Sequence, residues 1–311
     1  MSATPRRPPV TIGPWPWLDR RGRVSALRCA CLALLAAPGV WMVYLGLTGG
    51  FDPEPIKLGL HETGKWAIRA MILALAVTPL RWTALWPEVV PLRRMIGVTA
   101  LVYAVPHVFL YVVDQQYDLL AVASEIVLRF YLTIGFVAFA GLVVLSWTST
   151  DGAMRRMGRG WKRLHRLAYP LTALALYHHF LQGKVEVSEA TIAAGVFLWL
   201  MAWRLLPAEY RARPWLLLAM APVVALATAG LEYLWYDLAT RLPAGRIAAA
   251  NLDWEVAPRP VHWVLAAGLV MALIAFWRRP GLARPAPQDP PARRASTSAS
   301  TSCPRRPTSS A

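Results

Sequence analysis

Eight apolar runs, near residues 28–47, 66–83, 95–113, 130–147, 163–181, 190–206, 214–235 and 261–277, set the terms for any fold of this chain. Each approaches the roughly 20 apolar residues that a membrane-crossing helix needs. Pro38, Pro79, Pro106, Pro170 and Pro222 fall inside the runs. Interior proline ends a soluble helix more often than a membrane one, because neighbouring helices take up the freed backbone groups. Apolar residues make up 56% of the chain and charged residues only 16%, against ~25% charged in a soluble domain. The excess cannot be one soluble core. The expected architecture is an all-α membrane protein, a polytopic helical bundle.

Lys and Arg number 33 against 17 Asp and Glu, a formal charge of +16. The basic residues lie between apolar runs rather than on a soluble face, which excludes a nucleic-acid partner and points to membrane lipid. Cys29 and Cys31 sit inside the first run and Cys303 in the tail, which excludes a disulfide scaffold. Counted in alternate connections, Lys plus Arg is 24 on one side and 7 on the other; the short loops alone give 11 to 7. The richer side faces the cytoplasm. Both termini are therefore expected there, with 48–65, 114–129 and 182–189 as outer loops. Residues 1–27 hold too many Arg and Pro for a signal h-region, so they read as a cytoplasmic basic segment before a retained anchor. The tail 280–311 is Pro, Ala, Ser, Thr and Arg with nothing to bury, and is expected to be disordered.

The six histidines are His61, His107, His165, His178, His179 and His262. An ionisable residue inside a span is costly and is a functional candidate by default, although a single one is often only a helix–helix hydrogen-bond donor. Depth separates them. His107 lies twelve residues beyond Met95, ~18 Å along the third span, and His178 lies thirteen beyond His165, ~20 Å along the fifth. Both reach the outer half on different helices, and two neutral imidazoles facing across a bundle are what a six-coordinate haem iron needs. His165 stands alone near the cytoplasmic end, where the third span offers Arg94 and Met95. Helical phase argues for a different neighbour. Thirteen residues turn ~140° from the starting face and fourteen return to within ~40° of it, which favours His179 over His178. Arg69, one turn inside the outer end of the second span, is either a snorkelling side chain or a partner for a haem propionate. The Arg93-Arg94 and Arg155-Arg156 pairs are most simply cytoplasmic anchors, with flavin phosphate or an acidic reductase face as the other reading.

Several motifs together resemble the MsrQ (YedZ) family. His61-Glu62-Thr63-Gly64-Lys65-Trp66-Ala67, running on to Thr78-Pro79-Leu80-Arg81, is similar to that family's second span. Arg93-Arg94-Met95-Ile96-Gly97 with Tyr103, His107, Tyr111 and Asp114 is similar to its third. Phe130-Tyr131-Leu132-Thr133-Ile134-Gly135 and Trp147-Thr148-Ser149 are similar to its fourth, and Trp161, Leu164-His165, Tyr169, His178 and Lys184 to its fifth. Pro106 directly before His107 departs from the pattern.

The resemblance implies a six-span ferric-reductase-like core over 28–206, followed by two additional spans over 207–279. It implies an electron-transfer subunit of a protein-methionine-sulfoxide reductase system in the bacterial inner membrane, holding b-type haem (heme b) and FMN. Its ligand histidines fall on His107, His165 and His178. Electrons are implied to come from the membrane quinone pool or a cytoplasmic flavin reductase. They are implied to pass to a periplasmic molybdopterin-containing methionine sulfoxide reductase subunit. The competing reading is a membrane transporter with structural intramembrane histidines, which would need polar groups at broken helices near the midplane. The spans carry few acidic residues for that, and no G-x-G-x-x-G strand–helix context follows them to make a self-contained reductase.

Overall fold

The computed structural model describes residues 15–19, 22–251, 253 and 258–278. Most of the basic N-terminal segment and the whole 280–311 tail lie outside the described residues, and with them the expectation of a disordered tail. Within the described residues the chain is helical, the sole β feature being an isolated bridge between Leu18 and Val24. The twelve α-helices are α1 Ala26–Leu47, α2 Pro55–Thr83, α3 Leu92–Asp114, α4 Leu119–Leu128, α5 Phe130–Trp147, α6 Asp151–Met157, α7 Arg159–Leu164, α8 Ala168–Gly183, α9 Ser188–Leu205, α10 Pro214–Ala239, α11 Ala244–Ala250 and α12 Pro260–Trp277. It is a polytopic all-α membrane protein.

The eight apolar runs correspond to α1, α2, α3, α5, α8, α9, α10 and α12. Length and apolarity alone suffice for a crossing in α1, α3, α5, α10 and α12. In α2, Lys57, Glu62, Lys65 and Arg69 interrupt the apolar sequence, and α8 is only 16 residues long. Two segments depart from the loops expected. α2 begins at Pro55, its first-turn proline preset for helix, so the charged stretch before Trp66 is helical. The 114–129 connection contains α4, started by Asp118, whose carboxylate accepts from Leu120 N and Ala121 N at 3.1 and 2.9 Å.

α2 is the central helix, with eleven buried residues. One face packs with α3, α5 and α8 around Ala67, Ala70, Met71, Ala100, Ala104, Leu142 and Leu171. The other packs with α8, α9, α10 and α12 around Ile68, Ile72, Leu75, Trp199, Trp203 and Leu217. Small residues set the closest approaches, as expected where lipid tails remove the hydrophobic drive between helices. A Cβ at Gly195 would meet Thr228 Oγ1 at 2.6 Å, and one at Gly268 would meet Ala221 Cβ at 2.7 Å. Buried threonines return their hydroxyls to their own helices: Thr63 to Gly59 O at 2.7 Å and Thr83 to Pro79 O at 2.9 Å.

α1 buries no residue. Its partly buried Leu27, Cys31 and Leu35 pack against Val77, Val89, Leu92 and Ile96, and Tyr103 of α3 adds a polar attachment: its Oη accepts from Gly39 N at 3.0 Å and donates to Leu35 O at 2.6 Å. These are the two backbone groups that an uninterrupted helix pairs with each other. The neighbouring Pro38 has no N–H to offer the turn before, so the hydroxyl enters a ladder already opened.

Candidate functional site

α2, α3, α4, α5, α8 and the start of α9 enclose a cavity of about 910 Å³, toward the upper end of the ~300–1,000 Å³ that ligand pockets occupy. His107 from α3 and His178 from α8 both line it, with ring centroids 6.3 Å apart and ring planes at 84°. His107 Nδ1 lies 2.8 Å from Leu60 O, and His178 Nδ1 lies 2.8 Å from Tyr131 O. A carbonyl oxygen only accepts, so each Nδ1 carries the proton and each Nε2 keeps a free lone pair. A glycine stands under each ring. A Cβ at Gly64 would meet His107 Nδ1 at 2.8 Å, and one at Gly135 would meet His178 Nδ1 at 2.7 Å.

The two halves of this arrangement repeat at a constant offset. Leu60, Gly64, Ala67, Met71, Ala104 and His107 are followed 71 residues later by Tyr131, Gly135, Ala138, Leu142, Ala175 and His178, all of them cavity residues. Each histidine therefore follows its glycine by 43 residues and the carbonyl that holds it by 47. The wall is two similar hairpins, α2–α3 and α5–α8. The spacing Gly64…His107 and Gly135…His178 was available in the sequence as the signal for both glycines, but it is longer than the familiar repeat periods. At the far end of the two hairpins from the cavity mouth the offset pairs His165 with Arg94.

His179 also lines the cavity, but its Nδ1 is buried without a hydrogen-bond partner. The phase that favoured it assumed one continuous α-helix from His165. The chain instead passes through a 3-10 turn, His165–Leu167, before α8 starts at Ala168. That segment adds only ~60° of turn and leaves His179 nearer the face of His165, but His165 does not face the cavity, and His178 is the residue brought opposite His107. His165 lies outside the cavity wall. Its ring stacks on Trp161 with centroids 3.9 Å apart, Nδ1 is 3.2 Å from Trp161 O, and Nε2 is 3.2 Å from Ser149 Oγ.

The mouth is charged. Lys65, a cavity residue, bridges Glu62 at 2.8 Å and Glu189 at 3.1 Å. Arg69 sits beside the mouth, 3.4 Å from Glu189 and 4.7 Å above the Trp66 ring. On the opposite wall Tyr111 Oη donates to Glu125 Oε2 at 2.5 Å, and Arg129 reaches Glu125 Oε1 at 2.6 Å.

The chemistry of this donor set is specific. Among the described residues no three His, Cys, Asp or Glu side chains come together to hold a bare metal ion. Two opposed imidazoles in a wide, mostly apolar cavity instead suit an iron whose equatorial positions a macrocycle already fills.

Residues 63–176 match the family described as "Ferric reductase like transmembrane component". A Rhodospirillum rubrum protein named "Protein-methionine-sulfoxide reductase heme-binding subunit MsrQ" is 39% identical over 199 residues, 63% of this chain and 92% of the relative. Relatives of the same name from Xanthomonas euvesicatoria and Brucella ovis are 37% and 39% identical over 183 and 181 residues, each match covering 58% of this chain and 84% and 79% of the relative. No solved structure matches the chain. With both glycine–histidine pairs of the cavity in place and relatives matched across most of their length, the chain belongs to the MsrQ family.

Proposed function

We propose that this protein is the haem-binding, electron-transferring membrane subunit of a methionine sulfoxide reductase system, with His107 and His178 as axial ligands of one b-type haem. The observation that carries this is the opposed imidazole pair, each ring held by a backbone carbonyl and seated on a glycine. Bound there, the haem supplies one-electron redox chemistry. The protein's part is to fix it. Leu60 O and Tyr131 O set the tautomer and orientation of the two rings. The apolar wall of Ala67, Met71, Ala104 and Leu142 limits water. Lys65 and Arg69, here paired with Glu62 and Glu189, are the cations at the mouth to which propionates would turn. The orientation with both termini cytoplasmic puts this pair in the outer half. That suits a periplasmic molybdenum-containing partner as acceptor and the quinone pool or a flavin reductase as donor. The cavity is proposed for haem alone, and no role there is proposed for FMN.

Reduced-minus-oxidised absorption of the purified protein tests the reading. The expected result is a low-spin b-type spectrum with one haem per chain. Absence of haem bands overturns it in favour of a transporter. A ratio of two would require His165 to give up its contact with Ser149 and act as a ligand on the cytoplasmic side.

The glycines give a second test. Alanine is the better helix former, so Gly64→Ala and Gly135→Ala should leave α2 and α5 intact while driving a methyl group into the imidazole. Overpacking of this kind costs ~1–3 kcal/mol, so haem affinity should fall about tenfold or more. Gly97→Ala, whose Cβ would meet only Ala74 at 4.0 Å, should bind haem normally in the same titration.

A further inference from the structure

α10, α11 and α12 lie beyond the family match at residues 63–176, yet they grip the rim of the cavity. Trp235 Nε1 donates to Lys184 O at 3.1 Å, and Tyr236 Oη donates to Val185 O at 2.8 Å. The gripped segment is strained: Lys184 has φ 51° and ψ −88°, a left-handed conformation that L side chains rarely adopt. Beneath it Phe180, Val187 and Ala190 pack against Tyr236 and Ala244, with the Phe180 and Trp235 rings 5.1 Å apart. One turn back from Tyr236, Glu232 is buried and anchors α10 to Asn251 and Arg259. The segment so held, 182–189, contributes Gln182, Lys184, Glu186 and Glu189 to the cavity wall, and Glu189 in turn holds Lys65 and Arg69.

We propose that the C-terminal α10–α12 unit is a positioning device for the cavity mouth, in which Trp235 and Tyr236 hold the Lys184–Val185 backbone in a conformation it would not otherwise keep. Strained, non-glycine backbone persists only where its surroundings over-determine it, and here the surroundings are two ring donors from a single helix turn. The proposal rests on the proposed function only for what the mouth serves; the mechanical claim concerns this chain alone.

The test uses the full chain with Cys29, Cys31 and Cys303 replaced by serine and a reporter cysteine at Gln182. Trp235→Phe with Tyr236→Phe keeps an aromatic ring at each position and deletes both donors. Labelling of the Gln182→Cys reporter by a water-soluble maleimide should accelerate about tenfold, the factor that two lost hydrogen bonds of modest net strength support. A reporter at Asp114, on the opposite wall, should not change. Adding Lys184→Gly, which adopts positive φ without strain, should restore slow labelling at 182. Haem, where bound, should keep its low-spin spectrum while its midpoint potential moves negative as water reaches the mouth. Unchanged labelling at 182, equal acceleration at 114, or failure of the glycine to rescue would each overturn the proposal. A protein without haem would leave these three arms intact and defeat only the haem reading.

Discussion

His107→Ala and His178→Ala should each abolish the low-spin haem spectrum, while His179→Ala should keep most of it. Each of the first two removes one of the two facing imidazoles, which would leave a haem iron with at most one of that pair in a cavity lined mainly by apolar surface. His179 differs from its neighbour in one telling respect. His178 Nδ1 is held by Tyr131 O, whereas His179 Nδ1 is buried with no partner, and metal-bound histidines almost always anchor their second nitrogen. Absorption and haem content of the three purified variants decide the matter. If His179→Ala loses the spectrum and His178→Ala retains it, the ligand assignment is wrong by one residue.

Glu232→Ala should be the most destabilising substitution in the C-terminal unit. The carboxylate is 1% exposed; Oε1 accepts from Arg259 at 2.7 Å and Oε2 from Asn251 at 2.9 Å. Removing one member of a buried ion pair leaves the other charge desolvated and uncompensated, at a cost of about 3 kcal/mol or more. In thermal unfolding in detergent this should lower the midpoint by roughly 6 °C or more. Arg259→Ala should act similarly. The double variant should lose clearly less than the two single losses added together, because the second change removes the orphaned charge that made the first one expensive. Simple additivity would show that the two side chains do not act as a pair.

The helices could be read from the sequence wherever apolar residues run unbroken, and the depth of His107 and His178 then followed from helical rise alone. What stayed hidden had physical causes. The first turns of α2 carry Lys57, His61, Glu62 and Lys65 because they face a polar mouth rather than lipid, so an apolar count places the helix start about three turns late. α4 is too short to register as a span, yet it brings Glu125 and Arg129 to the wall. Phase counted from His165 does not lead to the opposed pair, because His165 itself lies outside the cavity wall. The carbonyls of Leu60 and Tyr131 could not be seen at all, since a backbone group has no signature in side-chain chemistry.

The hydroxyl that α3 inserts into α1 has a consequence for where α1 can sit. α1 has no buried residue, and the contacts of Leu27, Cys31 and Leu35 with α2 and α3 are apolar ones that lipid tails can replace, so they fix its height only weakly. The Tyr103 hydroxyl removes that freedom. It must meet a free N–H and a free carbonyl one turn apart, and the interruption beside Pro38 supplies such a pair at Gly39 and Leu35. Sliding α1 by one residue, ~1.5 Å, would face the hydroxyl with backbone groups already bonded to each other. A single phenol thus acts as a detent, giving the first helix a definite vertical address in a medium that otherwise assigns none.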